Sequence, residues 1–194
     1  MKKKIILVGN DHDVIDIIDN QKIYTCVARI NKKKINDKEE LKKILKKYPK
    51  ANVVITIDNP KVRKKLFSIY KNYLINLKSK ESYISKKTKF LKGNVIQKGV
   101  NIMPNVSIGN CCNININASI HHDSKIGNFV TIAPGVTILG SVKIKDGAYI
   151  GAGAIIKQNC IIEENSVVGA GAVVIKNVPK NKTVIGIPAK ILKN

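Results

Sequence analysis

The stretch from Ala118 to Gly127, ASIHHDSKIG, places two of the chain's three histidines side by side, His121 and His122, with the carboxylate of Asp123 next to them. Imidazole titrates close to neutral pH, so it can take a proton from an attacking amine or hydroxyl, and a carboxylate beside it can hold the ring. Metal binding is the other chemistry such a cluster could serve. A zinc centre built on histidines needs three well-spaced ligands, and the third histidine, His12, lies in a different part of the chain, so no metal site is expected. Cys26, Cys111, Cys112 and Cys160 show neither CxxC spacing nor a dense framework and are read as buried free thiols.

The elements that must position this cluster follow from a repeat. Stepping by six from Ile84 gives Phe90, then Ile at every step from Ile96 to Ile162, then Val168 and Val174. Four residues beyond each of these stands a mostly small or β-branched residue, from Thr88 to Val178, with Asn94 the misfit. A period of six matches neither the 3.6 of an α-helix nor the alternation of a hairpin. It matches a solenoid: each hexad makes a short strand and a corner, three hexads close a triangular coil, and successive coils pair edge to edge. Large aliphatics fill one inward site of each hexad and smaller residues the other. Gly109, Gly127, Gly151 and Gly169 are assigned to corners that need unusual backbone angles. His121, His122 and Asp123 fall between the two inward sites, so they belong at a corner or face outward.

Residues 1–80 read differently, as a small βαβαβ Rossmann-like unit with a final helix. Strands are predicted at 4–9, 22–30 and 51–58, and helices at 13–20, 37–48 and 60–71, the last opened by Pro60. Such a unit favours a parallel sheet whose strand ends face a ligand crevice. The boundary falls near 78 to 83, leaving 81–194 to the all-β solenoid and a closing tail.

The net charge of +22 rests on 35 basic residues, of which only Arg29 and Arg63 are arginine. The lysines run along both halves with few aromatics between them, a solvated-surface pattern rather than a nucleic-acid footprint. Their field favours anionic ligands such as phosphorylated cofactors. No apolar run approaches a membrane span, and the first one is too short for a secretory signal, so a cytoplasmic protein is expected.

The repeat resembles that of the hexapeptide-repeat acyltransferases, whose fold is a left-handed parallel β-helix, and GIPAK (Gly186 to Lys190) is similar to their closing segment. Together with the unit in front, the whole chain resembles the nucleotide-linked amino-sugar N-acetyltransferases of the bacillosamine and perosamine type, with sialic acid O-acetyltransferase relatives. HDSKIGNFVTIAPGVTILGSVKI carries the more specific match, and VITIDNPKVRKKL, with Asn59 and Arg63, a second.

The resemblance implies direct acetyl transfer from acetyl-CoA to the amino group of a nucleotide-linked sugar, for surface polysaccharide or glycan synthesis. The alternatives are O-acetylation of a sugar hydroxyl such as that of sialic acid, or a non-catalytic scaffold. It assigns the general base to the histidine directly before the acidic residue, in a pattern I-x-H-D/E-x-x-I-G, here His122 with Asp123. It gives Gly140 as the amide facing the thioester oxygen and Ala170 as a second backbone contact to CoA, lodged between adjacent β-helices of a homotrimer. Gly9, His12, Asn59 and Asn115 are its substrate-binding residues. The chain departs from the pattern at Asn10, Asp11 and Asp13, where glycines are usual. It departs again at Ile30 and Asn31, at Asp58, and at Thr131, where a second histidine is common.

Overall fold

The computed structural model describes residues 2–9, 12–30 and 38–192. Its N-terminal unit runs β1 (Lys3–Val8), α1 (His12–Asn20), β2 (Tyr24–Ile30), α2 (Lys38–Lys47), β3 (Asn52–Ile55) and α3 (Pro60–Tyr70). The strands form a parallel sheet in the order β2-β1-β3. The uninterrupted apolar run of β1 is explained by burial on both faces. Ile6 and Val8 pack with Leu41, Leu66 and Tyr70, whereas Ile5 and Leu7 pack with Val14, Ile17 and Ile18. β2 starts two residues later than the sequence suggests because Lys22 turns in the left-handed region (φ 50°). β3 ends early, at Ile55, and the Ile57 and Asp58 carbonyls are spent on Arg63 instead of on a ladder.

From Leu77 the chain winds into a prism of two-residue parallel strands on three faces. The first face begins with Leu77–Lys78, the second with Tyr83–Ile84 and the third with Lys89–Phe90; they hold six, six and five such strands, and the tail adds the three-residue Thr183–Ile185 and the antiparallel Lys190–Ile191 to the first. The register pairs Ile114 with both Ile96 and Ile132, so one coil takes three hexads. From Ile96 to Val174 every residue of the large aliphatic row is buried, at most 4% exposed, and each contributes roughly 1.5–3 kcal/mol from burial. The misfit Asn94 also points inward, with its amide satisfied: Nδ2 donates to Leu91 O and Oδ1 accepts from the Cys112 N–H. The coils thus begin one hexad before the repeat is legible. The tail does not simply leave them: Thr183–Ile185 pairs with Val167–Val168 on the first face.

The corner glycines need a correction. Gly109, Gly127, Gly151 and Gly169 do not have positive φ; the left-handed corner position is held by Gly93, Gly99, Gly135, Gly147, Gly153 and Gly171, alternating with Asn105, Asn117, Asp123 and other residues. The four predicted glycines answer a different demand, close approach of coils. A Cβ on Gly109 would lie 2.5 Å from the carbonyl oxygen of Gly127, and one on Gly151 2.6 Å from the Ala170 nitrogen. Around Gly135 the space is open. Gly109→Ala is therefore expected to destabilise by about 1–3 kcal/mol through overpacking against backbone. Gly135→Asn should cost well under 1 kcal/mol, because Asn tolerates φ near 67° and meets nothing. Urea unfolding midpoints of the two variants check the contrast.

The N-terminal unit sits on the lower part of the first face. Outward-facing Leu77, Val95, Asn113 and Thr131 are buried there, while Tyr149 and Val167, higher on the same face, are about one-third exposed. The joint is fastened by Arg63 of α3, wholly buried, whose guanidinium reaches two of the coils. Nε donates to Cys111 O at 2.9 Å; Nη1 donates to Ile57 O and Asp58 O at 2.9 and 2.7 Å; Nη2 donates to Phe129 O and Thr131 Oγ1, both at 2.8 Å.

Candidate active site

His122 and Asp123 occupy the corner between the second and third faces, in the turn joining Ser119–Ile120 to Lys125–Ile126. The turn is braced from above. Ser141 N–H donates to His122 O at 2.9 Å, and buried Ser124 donates to Leu139 O at 3.0 Å while accepting from the Val142 N–H at 3.2 Å. Asp123 takes the left-handed position (φ 61°), which a short polar side chain tolerates. From there its Oδ2 lies 2.8 Å from His122 Nδ1. The carboxylate is an acceptor, so Nδ1 carries the hydrogen and Nε2 is left with the lone pair.

The other carboxylate oxygen is also held. Asn105, eighteen residues earlier at the same corner of the coil below, donates from Nδ2 to Asp123 Oδ1 at 3.0 Å. These two hydrogen bonds, that from His122 first, hold the Asp123 carboxyl below its ordinary value, so it remains ionised into the acid range. Both side chains are open in the single chain, 62% exposed for His122 and 50% for Asp123. His121, beside them, is half-buried and serves the ladder with its backbone N–H on Ile138 O.

Gly140 stands directly above the imidazole: a Cβ there would lie 2.8 Å from both Nε2 and Cε1 of His122. Its carbonyl accepts from Asn159 N–H, but among the described residues nothing accepts its own N–H. The contrast with the next corner is informative. There the N–H groups of Asn110 and Asn128 are capped by side chains of the coil above, Asn128 Oδ1 at 2.9 Å and Asp146 Oδ1 at 2.7 Å. The Gly140 corner lacks such a ladder, which leaves an amide beside the imidazole for a ligand. Gly140→Ala is expected to lower kcat more than tenfold, since a methyl group cannot enter without displacing the ring; steady-state kinetics with an unchanged unfolding midpoint would show it.

The remaining candidates gather elsewhere. Ala170 and Asn115 lie at the corner between the first and second faces; Ala170 is exposed, and no described residue accepts its N–H. A cavity of about 320 Å³ at that corner is lined by Asp16, Ile17 and Asn20 of α1 and by Gln97, Lys98 and Ile116 of the coils. His12 is exposed at the start of α1. Gly9, φ 115°, ends β1, and a Cβ there would meet Thr56 Oγ1 at 2.5 Å. Asn59 caps α3, its Oδ1 accepting from the Lys61 and Val62 N–H groups at 3.0 and 3.2 Å. Thr131, at the position of a second histidine in the resemblance, is locked into the Arg63 joint and donates to Asp58 O. Asn10, Asp11 and Asn31, and the side chain of Asp13, lie outside the described residues. Of the cysteines, Cys111, Cys112 and Cys160 are buried as expected, but Cys26 is half-buried, on the edge strand β2. Among the described residues there is no cluster of three metal-ligating side chains and no helix long and apolar enough to cross a membrane.

Sequence reasoning missed Asn105 and the structural use of Arg63. The first was detectable by writing the repeat in rows of eighteen, which stacks Asn105 under Asp123. The second had a weaker signal, an isolated arginine in a lysine-rich chain.

Fold and site together define a prism of six-residue repeats with a paired imidazole and carboxylate at one corner. Residues 107–140 and 141–176 match the family model described as bacterial transferase hexapeptide (six repeats). The crystal structure of PerB from Caulobacter crescentus in complex with CoA and GDP-perosamine is similar over 100% of this chain and 98% of that one, at 23% identity and a TM-score of 0.89. The acetyltransferase domain of PglB from Neisseria gonorrhoeae in complex with acetyl coenzyme A is similar at 20% identity, with 99% and 100% of the chains covered and a TM-score of 0.87. WeeI from Acinetobacter baumannii is 29% identical, with 98% and 100% covered and a TM-score of 0.84. A search of curated protein sequences finds no significant match.

Proposed function

We propose that the chain is an acetyl-CoA-dependent N-acetyltransferase acting on the amino group of a nucleotide-linked sugar, working in the cytoplasm, with a left-handed coil and a Rossmann-like substrate unit. The observation that carries this is the imidazole of His122, set by Asp123 and lying under an unclaimed amide. Its support from likeness is that PerB binds CoA and GDP-perosamine and PglB's domain binds acetyl coenzyme A. The acceptor's neutral amine attacks the thioester carbon, and Nε2 of His122 takes the proton that the new C–N bond releases. Negative charge gathers on the carbonyl oxygen, where the Gly140 N–H donates. Collapse expels the CoA thiolate, which takes the proton back from the imidazolium.

Gly140 with His122, and Ala170 with Asn115, stand at different corners of one prism, so a single chain does not gather them around one thioester. Packing two prisms corner to face would, and it would cover the open imidazole; a homotrimer is the closed arrangement that does this three times. In this reading Gly9, His12, Asn59 and Asn115 serve the acceptor, Asn59 through a side chain already engaged as a cap. Release of CoA thiol with a panel of nucleotide amino sugars tests the proposal. Turnover confined to hydroxyl acceptors, or no turnover at all, would refute it.

Cys111 and Cys112 take no part. Burial pushes Cys111 and Cys112 up to about 12, so at pH 8 only about one in 10⁴ of either is thiolate. Incubation with acetyl-CoA is expected to leave no acetyl group on either cysteine by mass spectrometry, and iodoacetamide should label them only after denaturation.

A further inference from the structure

We infer that Asn105 is a positioning residue for the His122 base, acting through Asp123, an inference that rests on the reading of His122 above. Asn105 and Asp123 take the same left-handed corner conformation, φ 63° and 61°, one coil apart. Stacked so, the carboxamide and the carboxylate face each other along the coil axis, and Nδ2 meets Oδ1 at 3.0 Å. The amide orientation follows from charge: its oxygen turned toward the carboxylate would repel it. Oδ2 is meanwhile engaged by His122 Nδ1 at 2.8 Å.

A carboxylate held at one oxygen can swing about its side-chain bonds, whereas one held at both cannot. The second tether matters here because the group is exposed, and water competes for both oxygens. Asn105 therefore fixes the direction from which Asp123 accepts the Nδ1 hydrogen. That in turn fixes where the Nε2 lone pair lies beneath Gly140. Among the described residues the influences that lower the Asp123 carboxyl come from His122 and Asn105, so removing Asn105 has a spectroscopic signature. The neighbouring corner shows the same device in a structural role, where Asn128 Nδ2 donates to Asp146 Oδ2 at 3.0 Å with no imidazole attached.

Asn105→Gly tests this, because it accepts the left-handed backbone and supplies no donor; Asn105→Asp accepts that backbone too, lacks the donor when ionised, and adds a like charge that moves the Asp123 titration in the same direction. The unaltered chain is assayed first, and turnover lost in His122→Ala establishes the base. Both Asn105 variants are then expected to lower kcat about tenfold with KM for both substrates unchanged, the size of losing one hydrogen bond to a charged group. In both, the carboxyl carbon of Asp123 followed by NMR should titrate at higher pH than in the unaltered chain, with the unfolding midpoint held within about 3 °C. An unmoved Asp123 titration, or an unchanged kcat in a chain that turns over, would overturn the inference by itself. Absence of turnover in the unaltered chain would instead overturn the reading on which it rests.

Discussion

His122→Ala is expected to lower kcat for acetyl transfer by about 10²- to 10⁴-fold and to leave KM for acetyl-CoA and acceptor nearly as they were. The size follows from the chemistry. An amine that has attacked a thioester must lose a proton before the tetrahedral species can go forward, and without Nε2 no imidazole stands at that corner to take it. The split between kcat and KM follows from the geometry: the ring makes no contact that holds the fold, being largely open at the corner. His122→Asn, which keeps a polar group but offers no titrating nitrogen, should fall nearly as far. Asp123→Asn should also fall nearly as far, because its amide has one oxygen for two donors: with that oxygen accepting from Asn105, the amide nitrogen donates to His122 Nδ1 and the ring hydrogen moves to Nε2, the wrong tautomer for a base. Rapid-quench measurement of a single turnover is the check. A His122→Ala chain that retains more than about a tenth of its rate would remove the imidazole from the mechanism.

Arg63→Ala is expected to cost the protein about 3–5 kcal/mol, the second large effect. The side chain is wholly buried, and its hydrogen-bonding partners are four carbonyls and one hydroxyl rather than a carboxylate. Burial pushes its pKa down, with the Asp58 charge opposing, so the cation is retained by carbonyl dipoles converging on its fork. Truncation strands those acceptors away from water and opens a cavity between α3 and the coils. For a chain of this size each kcal/mol shifts the thermal midpoint by roughly 2–4 °C, so a drop of about 10 °C should appear. Arg63→Lys should recover little, since a point charge cannot span Ile57, Asp58, Cys111, Phe129 and Thr131 at once. Amide exchange gives the sharper reading. Protection should be lost first in α3 and in the Ile57 to Asn59 segment, while the upper coils stay closed. A midpoint within about 2 °C of the unaltered protein would show that packing, not the arginine, fastens the two units.

Both effects trace to residues whose weight in the sequence differs greatly. The prism was legible because its period is written directly in side-chain volume: an aliphatic every sixth residue has one way of being buried throughout, and nearly all of that row is. The site was legible in part. The adjacency of His122 and Asp123, and their phase between two inward positions, placed them outside the core. Asn105 escaped because a hydrogen bond across one coil depends on corner conformations that no local pattern announces. The corner glycines went wrong for a related reason. In sequence a glycine needed for positive φ looks the same as one needed for closeness, and only neighbouring coils tell Gly135 from Gly109.

The order of residues by itself determined the period, the number of faces, the parallel N-terminal sheet and the exposure of one imidazole beside one carboxylate. Each depends on spacing along the chain and on which side chains avoid water. The three-dimensional packing alone decided which outward positions of the first face lie under the N-terminal unit, why Thr131 is held by an arginine, and that Gly140 closes over His122 while Ala170 stands at another corner. Those relations join residues a coil or a domain apart, and they are set by steric fit and hydrogen-bond direction, which exist only once the chain has closed on itself.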